Sequence, residues 1–341
     1  MEKVRYLLII FILIIGTTVN IGCTTSIEDI KVESESKQID ISPKAETNIP
    51  IDLNLSEPPK IIEKSFEYPK LNFSAIPAPV LISDKFIFAE GPAWDKANGR
   101  LLFSDIDGNK IYEIKLPDRI NVYRTSSNNT NGLEFDNQGN LYAAEHDSRS
   151  ITVISKNGQT KTLVDNYMGR RLNSPNDIVA KSDGTIYFTD PTFGLKGQKE
   201  LDFMGLYRVI KEGKLFLEDK FDTSPNGVAL SPDEKKLYLS LTFGNEILVY
   251  DVSPDGSTTN SRKFAYVKNP DGIEVDLGEN VYVAGLEGVY VFSPEGTKLG
   301  IIYTNDQPTN CEFGGPSGNI LFITARNSIY RVDIPIPGFI E

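Results

Sequence analysis

The chain is predicted to be all-β, a six-bladed β-propeller with four-stranded blades whose ring is closed by an N-terminal strand. Three observations predict it. A short motif recurs six times after residue 88, apolar runs of strand length follow each copy, and no long 3.6-residue period appears beyond the first 22 residues. The openings are Ala89-Glu90-Gly91-Pro92, Thr130-Asn131-Gly132-Leu133, Pro175-Asn176-Asp177-Ile178, Pro225-Asn226-Gly227-Val228, Pro270-Asp271-Gly272-Ile273 and Thr309-Asn310-Cys311-Glu312. Their polar markers stand at 90, 131, 176, 226, 271 and 310, spaced by 41, 45, 50, 45 and 39 residues. About 40–50 residues is the length of one four-stranded blade.

Within each unit the elements follow in order. Second strands are expected at 101–104, 141–144, 186–189, 237–240, 281–284 and 320–324, all rich in aliphatic and aromatic residues. Third strands are expected at 110–114, 150–154, 205–209, 246–250, 288–292 and 328–332, separated from the second by turns containing Gly or Asp. The last copy ends after its third strand near Asp333, which leaves its outer position open. Residues 80–83, ahead of the first motif, are free to fill it and close the ring, removing the sheet edges that an open stack would expose.

Ahead of the repeats, Lys3 and Arg5 precede the apolar run 6–15, and small and polar residues lead to Gly22-Cys23. Residues 1–22 therefore read as a signal peptide, and Cys23 as a lipidation candidate resembling that of bacterial lipoproteins. Asn20 stands where an aliphatic residue is usual in such a signal, and an uncleaved signal anchor is the competing reading. Residues 23–75, rich in Ser, Glu, Lys, Asp and Pro, read as a flexible polar tether, and 76–341 as the propeller. Both readings export the body to the bacterial cell envelope. Membrane contact would run only through the N-terminal lipid anchor or signal anchor.

Composition narrows the chemistry. The 341 residues include 35 Lys and Arg against 47 Asp and Glu, a net charge of −12 with a pI near 4.8. So acidic a chain lacks the phosphate-neutralising surface that nucleic-acid binding needs. Two cysteines and one histidine exclude a disulfide framework, a Cys₄ zinc site and any two-histidine metal motif. Cys311 is expected as a buried small apolar residue. No GxSxG, Walker A or GxGxxG pattern supports a serine hydrolase or a nucleotide enzyme. No obligate protein partner is implied.

Inner strands of a propeller line its central channel, so the markers Glu90, Asn131, Asn176, Asn226, Asp271 and Asn310 are expected to converge at one end of the axis. Two carboxylates and four amides suit one hard divalent cation. Asn-Gly and Asp-Gly as plain turn residues would explain one or two of the copies. The segment Asp105-Ile106-Asp107-Gly108-Asn109 is read as a hairpin turn, since its Gly comes too early for a calcium loop and no Glu closes it. Trp94 is expected in the core.

Glu90-Gly91-Pro92, Leu172-Asn173-Ser174-Pro175-Asn176-Asp177-Ile178, Phe188-Thr189-Asp190-Pro191, Ser224-Pro225-Asn226-Gly227 and Pro270-Asp271-Gly272 resemble the SMP-30/gluconolactonase/LRE family over about residues 80–335. The resemblance implies a six-bladed propeller with one divalent cation on its axis, Ca²⁺ foremost and Zn²⁺, Mn²⁺ or Mg²⁺ as alternatives. It places the metal ligands on Glu90, Asn176, Asn226 and Asp271. It implies hydrolysis of a small-molecule lactone or ester, most like a sugar lactone, with Asp271 as the catalytic group that activates water. A phosphotriesterase or other esterase on the same metal site, and a non-catalytic binding module, are the alternatives. His146 in Glu145-His146-Asp147, with Arg149, is similar to an EHxxR stretch of bacterial gluconolactonases, as a substrate contact or a hydrogen-bonded loop histidine. Asn131, Asp177, Asp190 and Asn310 are expected at the pocket or behind the ligands, with Glu145 a weaker case. Residues 193–203 make the third repeat the longest and suggest a lid, near which Lys196, Lys199, Arg170 and Arg171 could attract an anion.

Overall fold

A computed structural model describes residues 68–339 with the exception of residue 212, all within one compact unit, Lys64–Glu341. The signal segment 1–22, Cys23 and most of the tether lie outside the described residues. After a single 3₁₀ turn at Phe73–Ala75, every regular element is a strand. The ring-closing strand is β1 (Val80–Ser83). Blade 1 holds β2 (Ala89–Asp95), β3 (Arg100–Asp105), β4 (Lys110–Lys115) and β5 (Arg119–Thr125). Blade 2 holds β6 (Thr130–Phe135), β7 (Leu141–Glu145), β8 (Ser150–Ile154) and β9 (Thr160–Val164). A two-stranded ribbon, β10 (Asn166–Tyr167) and β11 (Arg170–Arg171), precedes blade 3, made of β12 (Ile178–Ala180), β13 (Ile186–Asp190), β14 (Met204–Val209) and β15 (Leu215–Phe221).

Blade 4 holds β16 (Pro225–Leu230), β17 (Lys236–Leu241), β18 (Glu246–Val252) and β19 (Thr258–Tyr266). Blade 5 holds β20 (Ile273–Val275), β21 (Val281–Gly285), β22 (Gly288–Phe292) and β23 (Lys298–Ile302). Blade 6 holds β24 (Asn310–Gly314), β25 (Ile320–Ala325) and β26 (Ser328–Asp333), and its fourth strand is β1. Antiparallel pairing of Val80 with Arg331 and of Leu81 with Tyr330 closes the ring with the predicted segment. Blades 1 to 5 are antiparallel meanders joined by turns of two to five residues, except for residues 191–203 between β13 and β14, and blade 6 takes its outer strand from β1.

The core sits between blades. Six apolar clusters of buried residues occupy the gaps, each drawing on two neighbouring sheets. Leu102 and Ile111 of blade 1 meet Leu133, Leu141 and Ile154 of blade 2, for example. Across the closure, Trp94 stacks on Phe322 with centroids 5.7 Å apart, which places it in the core as expected. Burying each such side chain contributes about 1.5–3 kcal/mol. Cys311 is buried with its neighbours of blades 5 and 6. The Asp105–Asn109 segment is a hairpin turn whose Asp105 Oδ1 accepts the N–H groups of Phe88 (2.9 Å) and Gly108 (3.2 Å).

Contacts at the axis explain the recurring motif. A hydroxyl near the end of a second strand donates to the marker carbonyl of the next blade: Ser104 to Asn131 (2.7 Å), Thr189 to Asn226 (2.7 Å) and Ser240 to Asp271 (2.7 Å). The glycine after the marker lets the next blade approach. A Cβ on Gly91 would stand 2.0 Å from the Asn131 carbonyl oxygen, and one on Gly227 would stand 2.2 Å from that of Asp271.

Candidate functional site

The markers begin their strands at one end of the channel, and the local ladder decides where each side chain goes. Inner-strand pairing slips by a bulge between Glu90 and Ala93, between Thr130 and Leu133, and between Pro225 and Val228. In blades 3 and 5 regular pairing starts only after the marker, at Ile178 and Ile273. A bulge releases a residue from strict alternation and re-aims its side chain. These five markers, Glu90, Asn131, Asn176, Asn226 and Asp271, line one cavity of about 440 Å³ together with His146.

Asn310 is the exception. Its strand pairs regularly from Asn310↔Thr324 onward, without the bulge found after other markers, and its side chain reaches across to Gly272 and Asp177 rather than lining that cavity. Its Oδ1 accepts the Cys311 N–H (2.8 Å) and its Nδ2 reaches Asp177 Oδ1 (3.4 Å). Asn310 and Asp177 line a smaller cavity of about 140 Å³ instead. Asp177 Oδ2 accepts the Val228 N–H (3.1 Å), which pins the strand that carries Asn226.

Electrostatics single out the acidic pair. Burial, and then the charge of Asp271, hold the Glu90 carboxyl well above the carboxylate range, although the Gly91 N–H binds it at 2.9 Å. Burial and the Asp177 carboxylate push Asp271 up to about 8, against the hydrogen bond from Asn226. Asp177 itself is raised to about 6 by burial. No lysine or arginine forms an ion pair with Glu90 or Asp271 among the described residues, and the one lysine lining the cavity, Lys196, is held by Asp147 at 2.6 Å. Two facing carboxylates with no protein cation, beside the amides of Asn176 and Asn226, are a donor set that fits a hard divalent cation. Asn226 is oriented for this: its Nδ2 donates to Thr242 Oγ1 (3.0 Å), which donates to Pro270 O (2.9 Å).

His146 forms part of the wall. It is buried, its Nε2 has no hydrogen-bond partner among the described residues, and burial lowers its pKa to about 4. Gly194 packs so closely on the ring that a Cβ there would stand 2.1 Å from Nδ1. Residues 193–196 of the long third repeat line the cavity from above. Arg171 faces elsewhere, donating to Ser148 O (3.0 Å).

Asp190 and Glu145, expected at the pocket or behind the ligands, do not line the cavity. Asp190 is fully buried behind it, and its Oδ2 accepts the Asn173 N–H (2.8 Å). Burial raises it to about 7, and its place is to hold the segment leading to Asn176. Glu145 ties its own hairpin, accepting from Asn128 Nδ2 (2.8 Å), Ser148 Oγ (2.7 Å) and Thr152 Oγ1 (2.9 Å). Unforeseen in the sequence, Thr242 buttresses Asn226, and Glu134, Glu274 and Glu312 gather around the smaller cavity.

Comparison with known proteins agrees with this fold. Residues 88–327 match the family model described as the SMP-30/Gluconolactonase/LRE-like region. A gluconolactonase of Zymomonas mobilis is 34% identical over 289 residues, covering 75% of this chain and 81% of that protein. The solved structure of a gluconolactonase from Xanthomonas campestris superposes with a TM-score of 0.71 at 36% identity, covering 75% of this chain and 89% of the other. A calcium-binding protein, regucalcin, from Agrobacterium tumefaciens shares the fold at 20% identity, with a TM-score of 0.67 and coverage of 78% and 96%. The chain belongs to the SMP-30/gluconolactonase/LRE-like family.

Proposed function

We propose that the chain hydrolyses a lactone, with one divalent cation, Ca²⁺ foremost, held by Glu90, Asn176, Asn226 and Asp271. The observation that carries this reading is the convergence of two carboxylates and their neighbouring amides on one cavity, with neither carboxylate in an ion pair among the described residues. The gluconolactonases of Zymomonas mobilis and Xanthomonas campestris support the substrate class.

When bound, the cation supplies positive charge that polarises an acyl oxygen and offsets the repulsion between Glu90 and Asp271. The chain's own groups do the rest. Asp271 lines the cavity and holds a proton below about pH 8 in the cation-free chain; with a cation beside it favouring the carboxylate form, it would take the proton of the attacking water as general base. The water oxygen bonds to the acyl carbon, the ring C–O bond breaks, and the ring oxygen receives a proton, giving the open hydroxy acid. His146 lines the same cavity and is neutral above about pH 4, so it gives the substrate an uncharged wall. Asn131 offers a polar contact on the same wall. Thr242 and Asp177 act through Asn226, one by holding its amide and the other by pinning its strand.

The test is hydrolysis of D-glucono-1,5-lactone by the purified protein, followed by acid release against the spontaneous rate. Turnover that chelation abolishes and one of Ca²⁺, Zn²⁺, Mn²⁺ or Mg²⁺ restores supports the proposal. A stoichiometric cation without turnover of any lactone, with hydrolysis of a phosphotriester instead, moves the activity to that class. Neither cation nor turnover leaves a propeller that binds without catalysis.

A further inference from the structure

The cavity changes character above its oxygen donors. Its volume of about 440 Å³ lies in the range that encloses a drug-sized ligand, far more than a single lactone ring fills. The wall built by blades 3 and 4 is apolar: Phe193 and Leu195 line it, and Phe243 stands beside them. Phe193 and Phe243 meet edge to face with centroids 5.9 Å apart, yet remain 43% and 68% exposed. Paired phenyl rings left in water at the mouth of a polar site mark a surface that a ligand covers.

Polar groups on that wall are few. Lys196 is paired with Asp147 at 2.6 Å, and Thr242 Oγ1 is used between Pro270 O and Asn226 Nδ2. A second sugar ring would therefore find Lys196 and few other partners for its hydroxyls there, whereas an alkyl or aryl group loses nothing by leaving water. We propose that the substrate is a lactone carrying an apolar substituent, with its ring at the oxygen donors and its alkyl or aryl group against Phe193, Leu195 and Phe243. This rests on the lactonase reading above and names its substrate class.

The experiment compares δ-valerolactone, δ-decalactone and cellobionolactone on the full chain with Ca²⁺, in the wild type and in Phe243→Ala. Because Phe243 is exposed, matched melting curves will establish that the variant folds. The expected kcat/KM for δ-decalactone is at least about tenfold that for δ-valerolactone, mainly through KM. Phe243→Ala should cut that ratio severalfold. Equal kcat/KM for the two simple lactones, or a ratio insensitive to Phe243→Ala, overturns the apolar subsite while the lactonase reading stands. A preference for cellobionolactone that depends on Phe243 also overturns it, assigning the wall to a second sugar. Hydrolysis of none of the three by protein that turns over D-glucono-1,5-lactone overturns the apolar subsite while the lactonase reading stands, and turnover of no lactone at all, D-glucono-1,5-lactone included, defeats both.

Discussion

Two cavities on the propeller axis, built from the same inner strands, treat their carboxylates in opposite ways. The upper one places Glu90 and Asp271 among the amides of Asn131, Asn176 and Asn226. The lower one, about 140 Å³, gathers Glu134, Glu274 and Glu312 with Asp177. Burial raises every one of these acids, Glu274 to about 8. Their neighbours differ. The lower glutamates face one another, with Glu312 hydrogen-bonded to Glu274, so protons neutralise them. The upper pair sits among neutral amide oxygens that a proton leaves unused and a cation would bind. Side-chain type alone does not decide which counter-charge a buried carboxylate takes; the groups beside it do.

The comparison can be broken by exchanging charge for amide at either end. Asp271→Asn should lower kcat by about a hundred- to ten-thousandfold on any lactone turned over, whereas Glu312→Gln should leave kcat near wild type. Comparable losses from both would erase the functional distinction. Glu90→Gln should weaken divalent-cation affinity at least about tenfold, measured by calorimetric titration. Glu274→Gln should not weaken it.

A pH series sharpens the contrast. Asp190 and Asp271, raised to about 7 and 8, hold protons in the folded chain that the unfolded chain has already released. Their stabilising contribution is present at acid pH and is lost as pH rises through those values. His146, lowered to about 4, has the opposite sign, but that effect is complete above its ordinary pKa of about 6.5. The chelated protein should therefore melt several degrees lower at about pH 8.5 than at about pH 6.5. Saturating cation should reverse the share owed to the upper pair and leave that of the lower glutamates. The smallest effect is expected at Asn310, whose amide hydrogen-bonds Glu90 and Asp177: Asn310→Ala should cost about 1 kcal/mol and weaken cation affinity less than Glu90→Gln does.

The fold was legible because each repeat carries its own strand signals, and the observed second and third strands match the expected runs to within about two residues at either end. Closure by Val80–Ser83 could be read from the missing outer strand of the last repeat. The short ribbon β10–β11 could not, being two residues per strand with no apolar period. Convergence of the markers was legible as a pattern, yet Asn310 departs from it through strand register alone. For Asp190 the sequence left two places open, at the pocket or behind the ligands, and its buried contact with Asn173 belongs to the second. A signal did exist for the lower cavity: Glu134 and Glu274 each stand three residues after a marker, where a core-facing strand would place an apolar residue.

The most direct measurement is a Ca²⁺ titration of chelated protein near pH 7 by calorimetry in buffers of different ionisation enthalpy, which counts both the cation and the protons released. One Ca²⁺ per chain with accompanying proton release is predicted, with affinity lost in Glu90→Gln and Asp271→Asn and kept in Glu274→Gln. Absence of binding, or binding abolished by Glu274→Gln and indifferent to the other two, would contradict the assignment of the cation to the upper cavity.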